Sequence, residues 1–319
     1  MIKVYKIFSK EDIMDNILFG EIIKNRREEL NISQDELCEG ILDRTALSRI
    51  ENGKAECRKY VAEVLLERLN LPMEFYYASY SKKGIEQIKI KNQIKDAIRM
   101  KEYGKLSELL DIAEDVSSDN ILFSQFILRC KAIYTSHVEK DKLKAREMLF
   151  NAMSLLHKDF SIEKTDKLLL TTEELYILNS IANSYSEEND QLTAIKIYQS
   201  LVDRIKSNKN NQDNEEMMRI LIMLYYNLSR ALGRADYFKE CLEITEEALP
   251  LCERFGRPLQ LAQLLMNKGY ALCATFKKEE GTLILKDAII LNRRLGFNDN
   301  VEIIKRDSKK LFGINLDKV

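Results

Sequence analysis

The sequence predicts an all-α protein in two parts, a small helix-turn-helix domain followed by a stack of two-helix repeats. Three observations predict it. Only three prolines interrupt the 319 residues, and from Ile85 onward apolar side chains recur at three- and four-residue spacing, the period of an amphipathic helix. The stretch Ile32 to Gly53, ISQDELCEGILDRTALSRIENG, reads as two short helices joined by a tight turn. Downstream, the segments Tyr176 to Ala182, Met223 to Ser229 and Gln263 to Gly269 resemble one another and each ends in a small residue, which is the self-similarity of a repeat array.

Residues 1–17 form an extension with no assigned element, although Val4, Tyr5, Ile7 and Phe8 are available for packing. A first helix is expected from about Leu18 to Glu29, with Phe19, Ile22 and Ile23 on its apolar face and Lys24, Arg26 and Arg27 exposed. Ser33 followed three residues later by Glu36 is a capping-box signature that opens a helix from Gln34 to Glu39, and Gly40 closes it. Asp43 caps a third helix from Arg44 to about Glu51, ended by Asn52-Gly53. A fourth, Lys59 to Leu69, carries Val61, Val64, Leu65 and Leu69 at helical spacing and stops at Asn70-Leu71-Pro72. Phe75, Tyr76, Tyr77 and Tyr80 begin a short fifth helix, after which the domain boundary is expected. The divisions are thus 1–17, 18–80 for DNA binding, and 81–319 for the repeat array.

On the third helix, Arg44, Thr45, Ser48 and Arg49 share one arc while Leu47 and Ile50 face the other way. Arg44, Thr45 and Ser48 have the donors, acceptors and methyl group that suit base edges in a major groove. Gln34, Arg49, Asn52 and Lys54 are placed for phosphates, which fix register without reading sequence. The strings Ser33-Gln34-Asp35-Glu36-Leu37 and Ser48-Arg49-Ile50-Glu51-Asn52-Gly53 resemble the lambda-repressor/Cro-like helix-turn-helix family, with Cys38 where most members have alanine.

Composition narrows the functional classes. With 50 basic and 51 acidic residues, a nucleic-acid footprint has to be local. Arg44, Arg49, Lys54, Arg58 and Lys59 oppose only Glu51 and Glu56 between positions 44 and 59. Six well-separated cysteines read as small buried side chains in a reducing compartment, and two histidines, His137 and His157, argue against a zinc site or a histidine-dependent triad. No cofactor is expected. Charges at Lys3, Lys6, Lys10, Glu11 and Asp12 leave no apolar run for a signal peptide or membrane span, so the expected location is the cytoplasm. No phosphate-cradling glycine loop or nucleophile–base pair suggests an enzyme.

In the array, Ala182, Ser229 and Gly269 are each followed twelve residues later by another small residue, Ala194, Cys241 and Gly281. Seven residues further on come Leu201, Ala248 and Ala288. The offsets of 47 and 40 residues resemble tetratricopeptide repeats of ~34 residues with lengthened loops. Two weaker copies precede these three, giving an α-solenoid of about five degenerate repeats, and a segment from about Asn300 to Phe312 is expected to cap it.

The first helix of such a pair lines a groove. Its expected exposed face holds Asn179 and Asn183, then Tyr226, Asn227 and Arg230, then Asn267 and Tyr270. Asparagine is a mediocre helix former, and its amide can pair with both polar groups of an extended peptide backbone. The competing reading is a merely solvated polar face.

A Cro-like domain followed by degenerate tetratricopeptide repeats resembles the RRNPP peptide-pheromone regulators of Gram-positive bacteria, over nearly everything after residue 17. The resemblance implies a homodimeric quorum-sensing transcription factor that binds palindromic double-stranded DNA and is controlled by a short signalling peptide. It also implies that inner-helix asparagines hold the peptide backbone, here Asn183 and Asn227 with Asn179 and Asn267 beside them, and that Arg99 and Lys101 are placed to meet its carboxylate. The alternative is a transcription factor whose repeats bind a protein partner instead of a peptide.

Overall fold

The computed structural model describes residues 10–71, 82–116 and 120–317. It is 79% helical and has no strand among those residues, as the sequence predicts. The aromatic helix at Phe75 to Tyr80, the boundary expected after residue 80, and residues 1–9 of the extension lie outside the described residues. The chain forms two compact units, 1–177 and 178–319.

The first unit opens with α1 (Lys10–Glu29), α2 (Gln34–Cys38), α3 (Arg44–Glu51) and α4 (Lys59–Arg68). Helix α1 starts eight residues before the expected Leu18, because the sequence between Lys10 and Phe19 has no glycine or proline to break it. Both halves of the predicted capping box are formed: Glu36 N–H donates to Ser33 Oγ at 3.2 Å and Ser33 N–H to Glu36 Oε2 at 2.7 Å. Asp43 caps α3 through Ala46 N–H at 2.9 Å. The core beneath is Ile23, Leu37, Leu47, Ile50, Val61, Leu65 and Leu66, with both cysteines, Cys38 and Cys57, buried in it. Gly20 lets α1 close onto α3, since a Cβ there would stand 2.2 Å from the Ile50 carbonyl oxygen.

Helices α5 (Lys82–Met100), α6 (Tyr103–Val116), α7 (Ile121–Tyr134) and α8 (Lys142–Ser154) form two helix pairs in the same unit. The turn after α2 and the helix α4 pack directly on them. Gly40, at φ +75°, sits so close to the Leu156 carbonyl that a Cβ would lie 2.0 Å from its oxygen. Asn120, which caps α7, donates to Glu63 of α4 and to Gln87 of α5, both at 3.3 Å. Glu67 of α4 is half-buried here, with one carboxylate oxygen covered and unpartnered among the described residues, and desolvation pushes its carboxyl up to about 7 against the pull of Lys91.

Helix α9 (Thr172–Glu187) runs from the first unit into the second, which continues with α10 (Gln191–Ser207), α11 (Glu215–Arg234), α12 (Phe238–Arg254), α13 (Pro258–Ala274), α14 (Lys278–Arg294) and α15 (Asn298–Phe312). The small positions mark where helices touch. Ala182, Ala194 and Ser229 are fully buried and Cys241 is 1% exposed. A Cβ on Gly281 would lie 2.7 Å from the Gly269 carbonyl oxygen, so α13 and α14 meet backbone to backbone. Five turns of three residues join consecutive helices, and the middle residue of each, Asn189, Asp236, Gly256, Phe276 and Gly296, has positive φ. Helix α15 closes the stack over Leu285, Ile289, Val301 and Ile304. No described helix is long and apolar enough to cross a membrane.

Candidate DNA and ligand interfaces

Helix α3 presents Arg44, Thr45 and Arg49 exposed, with Ser48 half-buried and Asn52 and Lys54 exposed beyond its end. Leu47 and Ile50 are buried on the opposite side. The arc anticipated from 100° spacing therefore exists as a surface. Asn52 Nδ2 donates to the Ser48 carbonyl at 2.6 Å, so this amide also caps the helix.

What holds the arc in place was not anticipated. Arg27, expected at the surface, is 9% exposed and its guanidinium donates to both oxygens of Glu51 at 2.7 and 3.0 Å, with Glu51 itself 2% exposed. The pair fixes the end of α3 to α1, and this bidentate geometry pushes the Arg27 pKa up. Gln34 Nε2 joins it, donating to Glu51 Oε2 at 2.7 Å, while Gln34 Oε1 accepts from Arg44 Nε at 3.5 Å. Gln34 is thus half-buried and tied to the frame, with its amide oxygen turned toward α3. Nothing local signals this pair, because the partners stand 24 residues apart and a charged residue in an amphipathic helix is ordinarily solvated.

In the second unit the three aligned asparagines are not exposed, contrary to the expectation. Asn179, Asn227 and Asn267 are 6%, 5% and 6% exposed. Asn227 Nδ2 donates to Asn179 Oδ1 at 2.8 Å, and Asn267 Nδ2 to Ser229 Oγ at 2.8 Å and the Tyr226 carbonyl at 3.3 Å. The amides form a ladder that pins α9 to α11 and α11 to α13. A polar group survives burial there because each amide meets another polar group one helix away.

Beside the ladder lies a half-exposed row. Asn183 Oδ1 accepts from Tyr198 OH at 2.7 Å and from Arg230 at 3.3 Å. Burial raises the Tyr198 phenol pKa and keeps it a donor. The Arg230 guanidinium lies over the Tyr226 ring, 5.4 Å from its centroid. Tyr270 leaves this row: its ring packs on Phe312 of α15, with centroids 6.0 Å apart, because the last repeat has a terminal helix for a neighbour. Arg99 and Lys101 belong to the first unit, exposed at the end of α5, where Arg99 pairs with Asp96 at 2.8 Å and Lys101 has φ +59°. A residue absent from the sequence-based set, Arg234, lies one turn beyond Arg230 on α11 and lines an open cleft with Asn189, Asp190 and Tyr237.

The RNPP family C-terminal domain matches residues 91–287 and a helix-turn-helix family matches 23–76. Among solved structures, the chain resembles Bacillus thuringiensis PlcR in complex with the peptide PapR7 and DNA, with 20% identity and a TM-score of 0.59 over 90% of this chain and 98% of that one. Apo PlcR gives 18% identity and a TM-score of 0.59, covering 90% and 97% of the two chains. Apo ComR from S. thermophilus gives 16% and 0.52, covering 92% and 99%. No curated protein sequence matches the chain significantly. With a helix-turn-helix match over residues 23–76 and the family's C-terminal domain spanning most of the rest, the chain belongs to the RNPP family of helix-turn-helix transcriptional regulators.

Proposed function

We propose that this regulator works in the cytoplasm as a homodimer, binds palindromic promoter DNA through α3, and is controlled by a short signalling peptide on the first helices of its repeats. In this reading residues 18–80 are the DNA-binding domain and 81–319 the regulatory array. The observation that carries the peptide reading is the row Asn183, Tyr226 and Arg230: half-exposed, chemically mixed, and set beside a buried ladder that fixes its spacing. Preorganised donors and acceptors at helix-pair spacing suit an extended backbone, since little ordering cost remains at binding. PlcR, which this chain resembles in fold, was solved with a peptide and DNA together. Arg99 and Lys101 are retained as positions for the peptide carboxylate on the resemblance alone. Two subunits bring two recognition helices to half-sites one helical turn apart, which is why a palindrome is the expected target.

The test is binding of the purified protein to DNA upstream of its own gene, at a stated salt concentration, with and without synthetic peptides from adjacent short reading frames. A peptide-dependent change in DNA affinity, reduced by Asn183→Ala, supports the proposal. Affinity indifferent to every peptide, together with co-purification of a folded partner, points instead to a repeat array that binds protein.

A further inference from the structure

Helices α10, α12 and α14 are the second members of three successive pairs, and the aligned small residues Ala194, Cys241 and Gly281 set their positions against one another. Two residues past each small one stand Lys196, Glu243 and Leu283; nine past it stand Asp203, Pro250 and Ile290. All six are exposed. The turns that open these helices have Asn189, Asp236 and Phe276 at their middle, each at positive φ. Helix α14 therefore carries large apolar side chains where its two predecessors carry polar groups or proline. At φ +65° Phe276 adopts a conformation that bulky residues avoid, and its almost wholly exposed ring gains no packing within the subunit in return. Leu283 and Ile290 lie two turns apart on one face, and the turn that ends α14 adds exposed Phe297. Glu279 and Glu280 open the helix and Arg293 and Arg294 close it, all exposed. The helix dipole favours that order of charge. It gives no reason for four exposed apolar side chains spaced seven residues apart.

We propose that α14 is where the two subunits of the homodimer meet, packed antiparallel on the α14 of a second copy about a two-fold axis between Lys286 and Asp287. The proposal rests on the homodimer reading above and adds the contact surface and its register. From either end toward that axis the order is the same with the charges inverted: phenylalanine, two acids and leucine on one side, phenylalanine, two arginines and isoleucine on the other. Reversal brings Leu283 opposite the partner's Ile290 and Phe276 opposite the partner's Phe297, with the acidic start of each helix against the basic end of the other. Around the axis, Lys286 and Asp287 from both copies leave no net charge. A closed two-fold contact needs a surface complementary to itself, which this order supplies. Parallel packing would set acid on acid and arginine on arginine. Within α14 no opposite charge stands three or four residues from these end charges, so pairing along the helix does not explain them. One helix pair is a contact at the small end of the stable range, so dimerisation is expected to depend on concentration.

The test is sedimentation velocity of the full-length protein over a wide range of concentrations, without DNA, with folding checked by circular dichroism. Leu283→Glu and Ile290→Asp install the kind of residue that α12 and α10 carry at the same positions, and each is expected to raise the dimer dissociation constant about a hundredfold. Leu192→Asp, at another exposed leucine, leaves it unchanged. Phe276→Asn relieves the left-handed strain within each subunit, so it raises the Tm of the dilute chain while weakening the dimer. Charge reversal tests the register. Glu279→Arg/Glu280→Arg and Arg293→Glu/Arg294→Glu each weaken self-association about tenfold, and mixing the two proteins restores a dimer with one copy of each. A role confined to the helix dipole gives no such rescue. A parent dimer whose dissociation constant is indifferent to Leu283→Glu and Ile290→Asp overturns the α14 contact and leaves the homodimer in place. Failure of mixing to restore the dimer overturns the antiparallel register. A parent that remains monomeric at every concentration overturns both the contact and the homodimer.

Discussion

Replacing Asn227 by alanine separates support from binding in the row of first helices. The substitution deletes the Nδ2 donor 2.8 Å from Asn179 Oδ1, at a place where both residues are nine-tenths buried or more. A net hydrogen bond contributes about 1 kcal/mol, and stranding a buried acceptor costs about 1–3 kcal/mol. The better helix propensity of alanine returns about 0.5 kcal/mol. The expected loss is about 1–2.5 kcal/mol, or a fall in Tm of roughly 2–10 °C for a unit of this size. Asn179→Ala removes the other end of the same bond, so the two changes are not additive, and the double variant is expected to be about 1 kcal/mol more stable than the sum of the singles predicts. Asn183→Ala, at a half-exposed position, costs less than about 1 kcal/mol. The assay is thermal unfolding by far-UV circular dichroism of the three single variants and the double, with peptide affinity measured well below each Tm. Additive behaviour of Asn179 and Asn227 would refute the ladder, as would full stability in Asn227→Ala combined with lost peptide binding. Either result would return these amides to the ligand surface.

Four further outcomes are expected. Glu67 holds its proton more tightly folded, at about 7, than its ordinary 4.5, so the folded state binds more protons between those values and stability falls as pH rises through that window, by at most about 3 kcal/mol. Glu67→Gln removes the fall, and its Tm should exceed that of the parent at pH 8 and converge with it near pH 4. Glu51→Ala strands the buried Arg27 guanidinium and is expected to cost about 3–5 kcal/mol, whereas replacing both partners with methionine recovers most of it; chemical denaturation measures both. Lys54→Ala should weaken binding to all DNA sequences alike and reduce the salt slope by about 1, while Thr45→Ala leaves the slope and alters discrimination between operator variants. Phe276 is 99% exposed at φ +65°, a conformation that Asn tolerates far better, so Phe276→Asn should stabilise by about 1 kcal/mol in the same melting assay.

Much of the fold was legible because its signals are local. Ser33, Glu36 and Asp43 cap the helices they were expected to cap, and the small residues from Ala182 to Gly281 lie at the helix contacts. The errors concern polar residues whose partners are remote in sequence. Arg27 was placed in solvent because amphipathic spacing treats charge as exposure, and its counter-ion lies on another helix. The asparagines were placed on an exposed face for the same reason. Yet an amide recurring at one turn of successive repeats can also reach back to the preceding repeat, as Asn227 reaches Asn179 and Asn267 reaches Ser229. Tyr270 departs from the row because α15 is not a repeat, and periodicity cannot foresee what a terminal helix covers.

The two candidate interfaces share one construction. Under the exposed arc of α3 lies the Arg27–Glu51–Gln34 cluster, and beside the row of Asn183, Tyr226 and Arg230 lies the amide ladder. A buried polar contact is a poor source of net stability, because desolvation offsets most of what the bond contributes. It is a strong determinant of register, because a one-turn slip would leave several buried groups unpaired at 1–3 kcal/mol each, as an order-of-magnitude estimate. The polar contacts therefore fix where neighbouring helices stand, and the exposed side chains inherit their spacing. Under the proposed function, the outer residues can change to suit another operator or another peptide without touching the contacts that set the helices. A fold shared with PlcR at 20% identity is the outcome such a division allows. Under the proposed function, specificity is to be sought in Arg44, Thr45, Tyr226 and Arg230, and loss of function at Glu51 or Asn227 reports on the frame.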